Sequence, residues 1–143
     1  MNARAQAVWT RTALHVWPER YVLASVSLSN VEEAAALLSH SARSFAAIVV
    51  ERDEISLTIR EDLWRHAGLE ASAVSGPFRA ITLDVNVELD VCGYLAPAAE
   101  RLAAAGIPII PQCAFLKDHL LVHERDLTAA VAVFESLIAE SRA

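Results

Sequence analysis

From residue 81 to residue 90 the chain alternates apolar and polar side chains without a break. Ile81, Leu83, Val85, Val87 and Leu89 fall on one side, and Thr82, Asp84, Asn86, Glu88 and Asp90 on the other. A period of two predicts a half-buried strand. The period then changes. Leu95, Ala98, Ala99 and Leu102 recur at helical spacing until Gly106, which ends the predicted helix. Two apolar runs, residues 107–115 and 119–122, read as strands. A last helix is predicted over Leu127–Ser141, capped by Asp126, with Leu127, Val131, Phe134 and Ile138 on one stripe. The junction at residues 90–93 has chemical interest, because backbone N–H groups at a helix start can hold an anion.

The first half repeats this order at an offset of about 60 residues. Residues 21–28 form a strand with Val22, Ala24, Val26 and Leu28 on one face. Ser29 and Asn30 offer a cap to a helix over residues 31–40, whose first turn carries Glu32 and Glu33 where the dipole favours acids. Strands follow at 44–51 and 54–60, joined by a turn at Arg52–Asp53, with Ile55, Leu57 and Ile59 inward. The closing helix is short, Glu61–Ala67, and stops at Gly68. Residues 70–77, rich in Ala, Ser, Gly and Pro, read as a linker. Residues 12–17 read as one more strand, halted by Pro18. The expected organisation is an α+β chain with subdomains at 1–69 and 78–143, each a small antiparallel sheet covered by its helices. Sheet edges left open favour pairing of the halves and a homodimer.

Composition narrows the function. The chain has 143 residues, 55% of them hydrophobic, and carries 12 basic against 18 acidic residues for a net charge of -6. No basic stripe interleaved with aromatics is present, which argues against nucleic acid as a partner. No apolar run nears the roughly 20 residues that span a bilayer, so no membrane partner is expected. The N-terminal stretch has arginines spread through it and lacks an apolar core and a small-residue cleavage site, so no signal peptide is read there. Cys92 and Cys113 do not form a C-x-x-C pair and read as two thiols of a cytoplasmic protein.

Four stretches carry a family resemblance: DEISL at 53–57, DVCGYLA at 90–96, AAAGIPI at 103–109 and FLKDHLLV at 115–122. Their order and spacing resemble tandem ACT domains, and more narrowly the small bacterial ACT proteins related to CASTOR-type arginine sensors and to aspartate kinase regulatory domains. The resemblance covers most of the chain from about residue 19. It implies βαββαβ (ferredoxin-like) units that bind amino acids or similar metabolites at the seam between two of them. By position, it implies Gly93 as the glycine that admits the ligand to the backbone, Asp118 as the acid of the D-H-x-L-V strand, and Phe115 as an aromatic lining residue. Ser56 and Leu57 match the strand that faces the site from the other unit. Two positions depart from the sensors. Ala96 stands where they carry an acid, which argues against arginine, and Cys113-Ala114 stands where they carry a Ser-Thr pair, which makes the pocket more apolar.

The chemistry of an amino acid suits the same residues. Its carboxylate wants backbone donors, which a helix start at Cys92, Gly93 and Tyr94 would supply, with no Cβ at Gly93 to block approach. Its ammonium wants an acid such as Asp118, and Phe115 would cover its apolar part. The plain readings stay open: Gly93 as a turn glycine, Asp118 as a turn cap, Phe115 as core. His119 and His123 share a face of a strand but sit about 13 Å apart, too far for one metal ion. No metal site and no cofactor are expected, and no nucleophile elbow, P-loop or dinucleotide fingerprint is present. A Cys113–His119 pair is the one catalytic arrangement to consider. The expected function is a non-catalytic regulatory protein that binds an amino acid or similar metabolite and passes the change to a protein partner. The alternative is a ligand-free ACT-like scaffold acting through dimerisation.

Overall fold

The structure, a computed structural model, describes residues 1–41 and 43–143. It opens with a helix that the sequence reading did not contain, α1 (Ala3–Arg11). Asn2 caps it, its side-chain oxygen accepting from the Ala5 amide at 2.9 Å. Ala5, Val8 and Trp9 are buried, and their spacing of three and four puts them on one face. The remaining elements are β1 (Ala13–Val16), β2 (Tyr21–Val26), α2 (Val31–Leu38), β3 (Ala47–Val50), β4 (Ile55–Arg60), α3 (Glu61–Ala67), β5 (Ala73–Asp84), α4 (Ala96–Ala104), β6 (Ile110–Cys113), β7 (Asp118–His123) and α5 (Leu127–Ser141). Two compact units result: an inner one, residues 17–80, and a composite one made of residues 1–16 and 81–143.

The inner unit runs β2-α2-β3-β4-α3-β5, with strand order β3-β4-β2-β5 and antiparallel neighbours throughout. This is the ferredoxin-like βαββαβ plan. Its closing strand is the first part of β5, so the segment read as a linker already holds sheet from Ala73 onward. Ala24, Val26 and Ile55 pack on Ala34 of α2, and Val22, Leu57 and Ile59 gather Leu37, Leu63 and Trp64. Gly76 is required where β5 passes β2. Its φ is +147°, and a Cβ there would lie 2.9 Å from the Tyr21 carbonyl oxygen.

The composite unit has the same plan, read from the second part of β5 through α4, β6, β7 and α5. Its closing strand comes from the start of the chain. β1 pairs antiparallel with β5 from Ala13↔Asp84 to Val16↔Ile81, and the strand order is β1-β5-β7-β6. Strand pairing stops at Asp84, not at Asp90 as the alternation predicted. The partner strand ends there, since beyond Ala13 the chain turns into α1. Ile81, Leu83, Val85, Leu120 and Val122 face the helices and form one core with Trp9, Tyr94, Leu102 and Phe134. Asp126 precedes α5 as predicted but makes no side-chain cap bond. Arg142, just past α5, instead donates to the Thr10 and Thr12 carbonyls at 2.9 and 3.0 Å, covering the open end of α1.

Trp9 is fully enclosed. Its Nε1 donates to the Tyr94 carbonyl at 2.7 Å, and its ring lies 4.7 Å from that of Tyr94 and 6.4 Å from that of Phe134. Trp9→Ala is expected to cost about 3–5 kcal/mol, read as a fall in the urea midpoint at constant slope. His119 Nδ1 lies 2.7 Å from Thr82 Oγ1. Burial pushes the His119 pKa below 6.5 against the upward pull of Asp118, and Lys117 adds to the lowering. The unfolded chain then binds a proton that the folded chain disfavours, so stability present above pH 6.5 is lost as pH falls below it. Between about pH 7.5 and about pH 5.5 the urea midpoint should fall more for the unaltered protein than for His119→Gln.

Candidate functional site

After Asp84 the chain crosses to α4 as an irregular loop over residues 85–95. Few backbone bonds hold it. The Val87 amide donates to the Leu116 carbonyl at 2.8 Å, tying the loop to the β6–β7 hairpin, and the Val91 amide closes a turn on Glu88 at 3.1 Å. Side chains from α1 do the rest. Arg4 donates to Glu88 at 2.9 Å and to both oxygens of Asp90, at 2.9 and 3.2 Å. This contact holds the Asp90 carboxyl below its usual range. Asn2 donates from Nδ2 to the Cys92 carbonyl at 2.8 Å.

The helix begins at Ala96, with Pro97 in its first turn. Cys92, Gly93 and Tyr94 therefore precede it and are not the helix start that the sequence reading made of them. Gly93 has φ +76°, a left-handed conformation that no α-helix contains. Tyr94 is core. It is 3% exposed, its hydroxyl pairs with Thr12 Oγ1 at 2.9 Å, and burial pushes its pKa up to about 12.

A cleft of about 490 Å³ lies between this loop and the β6–β7 hairpin, entirely within the composite unit. Gly93, Tyr94, Ala114, Phe115 and Asp118 line it, so five of the predicted site residues come together. Cys92 is not among its lining residues. Ser56 and Leu57 belong to β4 of the inner unit. Leu57 is wholly buried in that unit's own core, and Ser56 is half-buried on a strand paired on both sides, to Ser25 and to Val49. Phe115, read as lining or core, is not core: it is 76% exposed at the hairpin tip. Sequence reasoning missed Lys117 in the cleft wall. Its ammonium bonds Asn86 at 2.9 Å and faces Asp84 at 3.4 Å. Its place beside Asp118 in FLKDHLLV was the available signal. Asn2 and Arg4 were missed with α1, although Asn2 and the Ala5–Val8–Trp9 stripe spell a capped helix.

Cys113 also lines the cleft, directly across the hairpin from Asp118. Burial and then Asp118 push its pKa up, the reverse of an activated nucleophile. Cys113 pairs across strands with Asp118 and Gln112 with His119, so Cys113 and His119 sit on opposite faces of the sheet. That geometry rules out the Cys113–His119 pair. Among the described residues no three His, Cys, Asp or Glu side chains are grouped to hold a metal ion. No described helix is long and apolar enough to cross a membrane.

Among the described residues two more hollows are of interest. One of about 790 Å³ lies between α1 and the same loop, lined by Arg4, Ala7, Val8, Arg11, Val87, Leu89, Val91, Phe115 and Leu116 among others. The inner unit has a polar hollow of about 430 Å³ with Ser25, Ser27, Asn30, Asp53, Glu54, Glu70 and Ser72 on its walls, and neither Ser56 nor Leu57 lines it.

No protein-family profile matches the sequence, and no curated protein matches it. Solved structures do match. A Vibrio cholerae protein of unknown function, described as a possible transport protein, superposes with a TM-score of 0.70 at 24% identity over 94% of this chain and 96% of that one. Aspartokinase α and β subunits match with a TM-score of 0.69 at 12% identity, over 90% and 98% of the two chains. The regulatory subunit of aspartate kinase from Thermus flavus matches with 0.62 at 15% identity, over 88% and 95%. At such identities the likeness speaks for the fold. The chain has the ferredoxin-like α+β fold of ACT-type regulatory domains.

Gly93→Ala tests the loop conformation. A Cβ there would meet only Asn2 Nδ2, at 3.7 Å, so space is available and the cost is left-handed backbone strain. The expected loss is about 1–2 kcal/mol in urea unfolding.

Proposed function

We propose that this chain is a non-catalytic regulatory protein that binds an amino acid or a similar small metabolite in the cleft bordered by Gly93 and Asp118. The observation that carries this reading is the convergence of Gly93, Ala114, Phe115 and Asp118 on one hollow of about 490 Å³. That volume suits a small ligand. Asp118, half-buried at the start of β7, would receive an ammonium group. Gly93 lets a ligand approach the backbone, and the exposed Phe115 ring would fold over its apolar part. Cys113 and His119, on opposite faces of the sheet, leave no thiol–imidazole pair beside the cleft, which supports a binding role over a catalytic one. Regulatory subunits of aspartate kinase share the fold, which supports a regulatory role and a protein partner that reads the bound state. Kinship with the CASTOR-type sensors is part of this reading, and so is a cytoplasmic setting, which suits two exposed, unbridged thiols.

The test is a thermal-shift panel of the twenty amino acids and the nucleobases at millimolar concentration. A ligand well above its Kd should raise Tm by several degrees, since a hundredfold excess adds about 2.7 kcal/mol. Asp118→Asn should remove the shift. If no compound moves Tm, the reading fails. A ligand-free scaffold acting through dimerisation is the second reading, favoured by Leu89 and Phe115, each 76% exposed. A dimer in sedimentation that Phe115→Ser dissolves, together with a silent panel, would select it.

A further inference from the structure

We infer that the larger hollow, between α1 and the loop of residues 85–95, is a second binding site, one for an amphipathic anion with a single carboxylate and an apolar body. The helix wall is set by spacing. Arg4, Ala7, Val8 and Arg11 stand at i, i+3, i+4 and i+7, one face of α1, and all four line the hollow. The facing wall alternates: Val87, Leu89 and Val91 from the loop, with Phe115 and Leu116 from the hairpin, are its apolar part, and Asn86, Glu88 and Asp90 are its polar part. A volume of about 790 Å³ with mostly apolar walls and few polar groups is the usual form of a small-molecule site.

Charge selects the ligand. Arg4 is spoken for, gripped by Glu88 and Asp90. Arg11 is not. Among the described residues no carboxylate pairs with it, and its side-chain hydrogen bond, Nε to the Ala7 carbonyl at 3.3 Å, stays within its own helix. Seven residues of helix separate the two, about 10 Å. The hollow therefore has an acidic end, where two carboxylates outnumber Arg4, an apolar middle, and at the other end a cation with no acid beside it. A carboxylate at Arg11 with an apolar body against Leu89 and Phe115 matches all three. The net charge of -6 repels anions in general, so selectivity for one here would be the work of Arg11.

The experiment is a titration of isotope-labelled full-length chain with sodium decanoate below its micelle concentration, followed by amide chemical shifts. 1-Decanol and decyltrimethylammonium serve as neutral and cationic counterparts. Saturable shifts are expected at Ala7, Val8 and Arg11, which line this hollow and not the smaller cleft, with decanoate the tightest of the three. Arg11→Gln keeps a good helix former and should weaken decanoate about fivefold while leaving decanol unchanged. Arg11→Lys should keep most of the affinity. Shifts that do not saturate, or equal binding of the three compounds with no effect of Arg11→Gln, would overturn the inference. Arg11 does not line the smaller cleft, so the amino-acid panel and this titration fail separately.

Discussion

Burial of the Trp9 indole, with its one N–H satisfied by the Tyr94 carbonyl, is the contact on which the geometry of the composite unit turns. An indole taken out of water must find an acceptor for that N–H or pay for its loss. The acceptor lies at the far end of the loop over residues 85–95, so the bond sets where that loop ends and where α4 begins. Arg4 and Asn2, one to two turns earlier on the same helix, then reach Glu88, Asp90 and the Cys92 carbonyl. Those outer contacts are exposed, and exposed ion pairs contribute little on their own. The enclosed tryptophan anchors the helix, and the arginine shapes the loop from that anchor.

A second constraint is topological. Each unit needs four strands to seat two helices, and the chain has seven strands among the described residues. β5 resolves this by serving both units, its first part closing the inner sheet and its second part opening the composite one. The composite unit still lacks a closing strand, and β1 supplies it from the start of the chain. The first sixteen residues are thus structural, through Trp9 and through pairing with β5.

The two repeats carry opposite charge at the residue that closes their hairpins. Their hairpins close with the same bond, Glu51 amide to Glu54 carbonyl in one and Ala114 amide to Lys117 carbonyl in the other, each at 3.0 Å. In the inner unit that closing residue is an acid, bonded to Ser25 near the end of β2. In the composite unit it is a lysine, facing Asp84 at the end of β5. The same backbone corner therefore carries opposite charge in the two units. The hollows beside these corners differ accordingly, one polar and acid-lined, the other mostly apolar with Asp118 at its edge.

Period and punctuation in the sequence were enough to reveal eleven of the elements, all but α1, as helices or strands, and the repeat that relates them, because alternation and helical stripes are imposed locally by which face is buried. Gly68, for one, ends α3 at φ +64° as its position implied. The residues around Gly93, Phe115 and Asp118 were also legible as a group, since a turn glycine and a hairpin acid are local chemistry. Other features were not local. Alternation continues to Asp90, yet pairing ends at Asp84 because the neighbouring strand ends there. Residues 73–77 look like linker until β2 lies alongside them. Which unit owns Ser56 and Leu57, which face of the sheet Cys113 shares with Asp118, and which arginine of α1 is left without an acid all depend on contacts between residues far apart in the chain. No pattern in one segment encodes such contacts, so only the folded chain could decide them.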